Sequence, residues 1–185
     1  MSNKEYKVSI ENIVSSIKFQ EKIPLDELIN YSENIEYEPE QFPGAVYRIE
    51  NMPVTSLIFS SGKVILTGAE NTEMINQAVE KVKKLLEKAG VKTRNMEELK
   101  IENIVASTKF PYRINLDVLA YNLETTEYEP EQFPGLIYRD KEYNLVLLVF
   151  NSGKVICTGG KNVKEVREVI DKFYKIVKKV KAFVE

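Results

Sequence analysis

The sequence predicts an α+β fold made of one unit used twice: antiparallel strands with helices on one face, then the same again. Three observations predict it. Shifted by 91 residues, the chain lies on itself without a gap, with 34 identities between residues 10–71 and 101–162. Within each copy, short runs alternate with period two between turn-forming breaks, FPG, NMP and SSG in the first. Each copy then closes on a long stretch of helical period. Two copies of 91 residues account for all but three of the 185. The period is too long and the copies too few for a solenoid.

The elements follow in order. Val8–Ser16 alternates as a first strand. Pro24–Tyr31 reads as a short helix, with Pro24 in a favoured first-turn position and Leu25, Leu28 and Ile29 on one side. Four short strands follow near Ile35–Tyr37, Ala45–Glu50, Thr55–Phe59 and Lys63–Thr67. A helix from about Thr72 to Ala89 carries the stripe Ile75, Val79, Val82, Leu86 and Ala89, and Gly90 stands where a C-terminal cap belongs. The second copy repeats the plan and ends on a helix over Val163–Val184, with stripe Val163, Val166, Ile170, Phe173, Val177 and Val180. The boundaries are therefore 1–90 for the first repeat, 91–98 for a linker and 99–185 for the second.

Composition excludes whole classes of function. There is no His, so no imidazole base and no His-ligated metal; one Cys permits neither an intrachain disulfide nor a Cys-pair zinc site. No cofactor is expected. No apolar run approaches membrane-spanning length and Met1–Lys7 has no signal-peptide core, which implies a cytoplasmic protein without an export or membrane signal. With 26 basic and 28 acidic residues the net charge is −2, which by itself argues against a basic-stripe nucleic-acid binder. Glu38 and Glu40, with copies Glu129 and Glu131, flank a Pro in a loop and have no nucleophile or metal set beside them, so no enzyme is predicted.

The strand faces are more informative. Alternation places Asn12, Val14, Ser16, Val46, Arg48, Leu57, Phe59, Lys63, Ile65 and Thr67 on one side, and Ile13, Tyr47, Ile49, Ile58, Val64 and Leu66 on the other. The second copy divides alike: Asn103, Val105, Ser107, Arg139, Leu148, Phe150, Lys154, Ile156 and Thr158 against Ile104, Leu147, Val149, Val155 and Cys157. Both sides are largely apolar, and four helices, two of them short, do not suffice to cover both. The uncovered side is either a binding face bordered by Arg and Lys or core buried by a second copy of the chain. Cys157 falls on the helix side as a small buried hydrophobe. Lys172, Lys175, Lys178, Lys179 and Lys181 make the last helix basic, which suits the helix dipole.

The doubled IENIV, the doubled YEPEQFPG followed two residues later by Tyr-Arg, and the doubled SGKVI-x-TG, all at one offset, resemble the TATA-box-binding protein family, in its archaeal form, over about Lys7 to Val180. The resemblance implies a saddle: a curved ten-stranded antiparallel sheet with four helices on its convex face and DNA in a widened minor groove against the concave one. It implies a general transcription factor that kinks a TATA element and recruits transcription factor B and RNA polymerase, with double-stranded A·T-rich DNA as its ligand; the apolar face leaves a homodimer of the free protein open as a second partner. Phe42 with Phe59, and Phe133 with Phe150, would be wedges. Asn12 and Asn103 would donate to the central base pairs. Val14, Val105, Leu57, Leu148, Ile65 and Ile156 would line the groove floor beside Thr67 and Thr158. Arg48, Lys63, Arg139 and Lys154 would reach phosphates. Glu129, Glu131 and Gln132 match the loop on which transcription factor B docks; the first copy carries the same YEPEQF, so little intrinsic polarity on the DNA is expected. The competing interpretation is an accessory domain of the same fold that takes a small molecule or protein on its apolar face.

Overall fold

A computed structural model of the chain describes residues 5–185, so part of the Met1–Lys7 stretch considered above lies outside the described residues. The chain divides into two compact units. The first is Asn12–Glu102; the second is Asn103–Glu185 together with the segment ending at Glu11.

In the first half, β1 (Val8–Lys18) is followed by α1 (Leu25–Leu28), β2 (Ile35–Glu36), β3 (Ala45–Arg48), β4 (Thr55–Ile58), β5 (Lys63–Ala69) and α2 (Thr72–Lys88). The strands lie antiparallel in the order β2-β3-β4-β5-β1. The second half has β6 (Lys100–Lys109), β7 (Arg113–Ile114), α3 (Leu116–Asn122), β8 (Thr126–Glu127), β9 (Leu136–Arg139), β10 (Val146–Val149), β11 (Lys154–Gly160), α4 (Val163–Lys179) and β12 (Phe183–Val184). Its order is β6-β11-β10-β9-β8, and β7 pairs separately with β12. The ten antiparallel strands and four helices expected from the duplication are present.

Each half has one helix-covered face. On α2 the residues Ile75, Ala78, Val79, Val82, Leu85 and Leu86 are buried, and the helix packs on β5. The inward set Tyr47, Ile58, Val64 and Leu66 is buried as well. α4 does the same on β11 with Val166, Val169, Ile170, Phe173 and Val177. Each such fully buried side chain contributes about 1.5–3 kcal/mol. Both helices are capped by Asn: Asn71 Oδ1 accepts from the Met74 N–H, and Asn162 Oδ1 from the Lys164 N–H.

Three expectations are corrected. α1 is only four residues long, and Ile29, placed on its apolar side, is 50% exposed. A helix this short turns through little more than one full turn, so the stripe has no second turn to extend it. The last helix stops at Lys179 rather than Val184. Lys181 takes φ 57° there, the left-handed cap that Gly90 supplies to α2 with φ 80°. The bonding is the same at both ends: Gly90 N–H to Glu87 O and Val91 N–H to Leu86 O, Lys181 N–H to Lys178 O and Ala182 N–H to Val177 O. Released from the helix, Phe183 and Val184 pair with Ile114 and Arg113. Finally, Ser16 is 6% exposed rather than open, and its hydroxyl donates to Glu102. The stretch 91–98 is held against the first half: Val91 and Thr93 are buried, and Glu97 N–H donates to Lys18 O.

The halves solve one packing problem in two ways. On the helix side of the first, Leu66 lies between Ser15 and Ser56 across the ladder. In the second, Cys157 lies between Ala106 and Leu147. A large centre with small flanks has been exchanged for a small centre with one large flank, which keeps the layer filled. The exchange leaves the Ser15 and Ser56 hydroxyls buried without a hydrogen-bond partner among the described residues.

Ser15→Ala, the residue its copy already carries, should therefore raise unfolding free energy by about 1 kcal/mol in urea titration; a loss would mean that the hydroxyl is satisfied. Lys181→Gly relieves the left-handed cap and should add roughly 0.5–1 kcal/mol, whereas Gly90→Ala should destabilise the matching cap of α2.

Candidate nucleic-acid interface

The second face of each half has no helix on it. In the first half Val14, Leu57, Ile65 and Thr67 are half-buried, against near-complete burial of their alternating neighbours Ile13, Ile58, Val64 and Leu66. In the second, Val105, Leu148, Ile156 and Thr158 are half-buried likewise. The sequence-predicted floor residues thus share one open apolar face in each half.

Asn12 and Asn103 are fixed in orientation by a β-bulge. β1 pairs Ile13 with Ala69 and then Ser15 with Leu66, so Thr67 and Gly68 together oppose Val14. β6 and β11 repeat this, with Thr158 and Gly159 opposing Val105. The extra residue adopts φ 100° at Gly68 and 94° at Gly159. At Gly68 a Cβ would also stand 2.0 Å from the Pro53 carbonyl oxygen, so glycine is required twice over. The bulge frees the glycine N–H from the ladder, and the Asn side chain takes it: Gly68 N–H donates to Asn12 Oδ1 at 2.6 Å, and Gly159 N–H to Asn103 Oδ1 at 2.8 Å. With the oxygen so occupied, the amide nitrogen turns to the threonine. Asn12 Nδ2 donates to Thr67 Oγ1 at 3.1 Å, and Asn103 Nδ2 to Thr158 Oγ1 at 3.5 Å. Each Asn–Thr pair is left with one amide N–H and one hydroxyl hydrogen to give away. On an otherwise apolar face, these are donors looking for acceptors.

The phenylalanines form two matching pairs. Phe42 and Phe59 have ring centroids 5.8 Å apart at 67°, and Phe133 and Phe150 5.9 Å apart at 68°. Phe133 is 36% exposed; the other three are half-buried. Each pair stands on a glycine: a Cβ on Gly44 would lie 2.9 Å from Phe42, and one on Gly135 2.8 Å from Phe133. The loops that carry Phe42 and Phe133 have one conformation, with Gln41 and Phe42 N–H bonded to Glu38 O, and Gln132 and Phe133 N–H bonded to Glu129 O. Glu129, Glu131 and Gln132 are exposed, as are Glu38, Glu40 and Gln41.

Lys63 and Lys154 are exposed at the start of β5 and β11. The two arginines carry something the sequence argument missed. Arg48 Nη1 is 3.0 Å from Glu36 Oε1, and Arg139 Nε is 3.2 Å from Glu127 Oε1. Glu36 pairs across the ladder with Val46 and Glu127 with Ile137, so both carboxylates lie on the open side. The alternation Ile35-in, Glu36-out was the available signal. Such exposed pairs add about 0–1 kcal/mol to stability, and each sets a carboxylate beside a cation that the sequence analysis expected to reach a phosphate. Asp140 was also missed. It is 2% exposed, bonds Lys172 Nζ at 3.2 Å and accepts from the Tyr143 N–H at 2.8 Å, and so pins the β9–β10 turn to α4.

Cys157 is fully buried, and burial followed by the Asp140 charge pushes its thiol from 9.0 up to about 12. It should resist alkylation at pH 8 until the protein is unfolded. Because the folded value is the raised one, its contribution to stability is complete below pH 9 and falls as the pH rises towards 12. Urea midpoints of the protein and its Cys157→Ala variant should therefore diverge in pH dependence only above pH 9; rapid native labelling would contradict the buried placement.

Comparison with known proteins agrees with this arrangement. The family model for "Transcription factor TFIID (or TATA-binding protein, TBP)" matches twice, over residues 7–89 and 98–180. The chain is 44% identical over 167 residues to the TATA-box-binding protein of Sulfolobus acidocaldarius, covering 90% of this chain and 85% of that one. It is 44% identical over 176 residues to that of Methanocaldococcus jannaschii, covering 95% and 96%. The solved structure of Methanococcus jannaschii TBP superposes with a TM-score of 0.85 at 44% identity, covering 94% of this chain and 99% of that one.

Proposed function

Because the chain belongs to the TATA-box-binding protein family, a family of general transcription factors and not of enzymes, we propose that it binds an A·T-rich promoter element through the minor groove, one half of the element to each repeat. The observation that carries this is the duplicated Asn–Thr donor pair set in an open apolar face. In the minor groove an A·T pair offers only acceptors, whereas G·C adds the guanine amino donor. The Asn12–Thr67 and Asn103–Thr158 pairs supply donors to those acceptors. The apolar residues around them give an intruding amino group nothing to bond, a cost of about 1–3 kcal/mol for each buried and unsatisfied group.

The Phe pairs supply the bend. Phe42 with Phe59 and Phe133 with Phe150 enter base steps as wedges, and burying each ring contributes about 1.5–3 kcal/mol. That offsets an unstacking cost of a few kcal/mol per step, a magnitude known from this family itself rather than obtained from these residues. Lys63 and Lys154 meet phosphates directly. Arg48 and Arg139 do so only by sharing or leaving Glu36 and Glu127. The exposed Glu129, Glu131 and Gln132 receive transcription factor B, which brings RNA polymerase; the matching first-half loop leaves orientation largely to that partner. Self-pairing through the open face competes with DNA.

A mobility-shift titration should show tight binding to an A·T-rich duplex and weak binding to a G·C-substituted control; equal affinity would overturn the proposal. Phe133→Ala with Phe150→Ala should abolish one of two kinks, read as a reduced bend angle by fluorescence transfer between duplex ends. Since two of the four cations are already paired, the slope of log K against log salt should be about −4 or shallower, and binding should have a large negative heat-capacity change by calorimetry.

A further inference from the structure

Each open face sets two lysines directly against each other. β1 ends on Lys18, β5 begins on Lys63, and the two are partners across the ladder. β6 ends on Lys109, β11 begins on Lys154, and they are partners likewise. Both members of each pair point outward. Ile17 and Phe19 beside Lys18 are buried, as is Val64 beside Lys63; Thr108, Phe110 and Val155 are buried in the matching places. All four lysines are exposed. Like charges directly opposed across a ladder are destabilising. Arg48 and Arg139 have carboxylates to match them, but among the described residues none of these four ammonium groups forms an ion pair. Glu97 and Glu98 line the same hollow as Lys18 and Lys63 without closing on either. Lys109 Nζ donates to the Ser152 carbonyl, which leaves its charge unmatched and two of its N–H groups free.

Each pair also continues a row that begins at a ring. Phe59 N–H donates to Lys63 O at 2.9 Å, and Phe150 N–H to Lys154 O at 2.9 Å. Phe59, Lys63 and Lys18 therefore lie side by side on three adjacent chain segments, and so do Phe150, Lys154 and Lys109, at steps of about 4.8 Å. The row is fixed by the main chain: Phe19 N–H bonds to Gly62 O and Glu97 N–H to Lys18 O, and Phe110 N–H bonds to Gly153 O.

We propose that Lys18 and Lys109 are DNA-contacting residues, each holding a second phosphate next to the one held by Lys63 or Lys154, beside each wedge. This rests on the minor-groove reading above and adds two contacts to it. Anionic oxygens beside two opposed ammonium groups turn their repulsion into attraction to a common strand. The ring opens a base step, the nearer lysine holds the phosphate at that step, and the farther lysine holds the next. Four unmatched cations release about four counterions, so log K should fall against log salt with a slope of about −3.6; two would give about −1.8.

The test is a mobility-shift titration on an A·T-rich duplex across salt concentrations. The unmodified protein should give the steeper slope. Lys18→Gln and Lys109→Gln should each flatten it by about 0.9 and weaken binding about eightfold at 0.1 M salt. Lys18→Arg should keep both slope and affinity. Lys175→Gln, which removes an exposed lysine of α4, should change neither. Melting temperatures of the free Gln variants at positions 18 and 109 should be unchanged or higher, because each loses one of two opposed charges; a lost contact is thereby told from a lost fold. Position is read by replacing single phosphates with uncharged methylphosphonate. Two neighbouring phosphates at each kink should matter to the unmodified protein, and only one to the variant carrying both Gln substitutions. Slopes for Lys18→Gln and Lys109→Gln equal to that of Lys175→Gln would overturn the inference, while a retained preference for A·T would leave the minor-groove reading intact. Equal binding to A·T-rich and G·C-substituted duplexes would overturn both.

Discussion

A single backbone hydrogen bond sets what each half can offer a ligand. The N–H of Gly68 would belong to the β1–β5 ladder if the strands ran in register. The bulge removes it, and Asn12 Oδ1 takes it up at 2.6 Å. A primary amide can point either way, and without that bond Asn12 would present donor and acceptor about equally. With it, the oxygen is spent and the nitrogen faces Thr67 and the open side. Asn103 and Gly159 repeat the device. Selectivity for acceptors is thus built into the main chain, by a glycine that can take φ near 100° without steric penalty, before any ligand arrives.

The same device depends on the sheet being covered on one side only. α2 and α4 bury the inward residues of each half completely, so the fold does not need the outward apolar residues for its own core. Val14, Leu57 and Ile65 can then serve binding. The divergence between halves follows this division. On the helix side, Ser15, Leu66 and Ser56 have exchanged volume with Ala106, Cys157 and Leu147, and Phe110, Phe173, Tyr174 and Phe183 form an aromatic cluster with Tyr6. The copies of those five positions are Phe19, Val82, Lys83, Lys92 and Glu97, only one of them aromatic. Core can drift as long as its volume is kept. The open face has hardly drifted, as the function proposed above requires of residues that answer to a repeating ligand rather than to adaptable neighbours.

This division also governs how much was legible in the sequence. Strand faces have period two and the duplication shows each face twice, so the open set from Asn12 to Thr67 and its copy could be written down from letters alone. Phe59 and Phe150 were legible for the same reason, but Phe42 and Phe133 lie in loops, and their pairing came from the family resemblance rather than from strand period. What escaped was set by contacts between distant segments. The SGKVI-x-TG motif shows a glycine but not that β1 slips by one residue beside it. Lys181 gives no sign of a left-handed cap, because the cap is imposed by the β12–β7 pairing that follows it. The expected strand Ile35–Tyr37 contained Glu36, but only the ladder shows Glu36 and Glu127 beside Arg48 and Arg139. Ile29 fitted an apolar stripe only as long as α1 was taken to be longer than it is.

Those two ion pairs change what a net charge of −2 means. A binder that relies on phosphate contacts gains its affinity by releasing counterions, and it must be basic to do so. Here two of the four expected phosphate contacts, Arg48 and Arg139, come with their own carboxylates, at 3.0 and 3.2 Å. A phosphate must compete with Glu36 or Glu127 for the guanidinium, and the displaced carboxylate is left near the phosphate it yielded to. At these two positions electrostatics therefore adds little attraction to DNA in general. In the binding proposed above, the favourable terms left are burial of the apolar residues, insertion of the rings and the fit of donors to acceptors. All three require a deformed groove of suitable sequence. A chain with stronger bare charge would hold any duplex; with both arginines of the open face already paired, the binding proposed above gains its selectivity where shape and donors are matched.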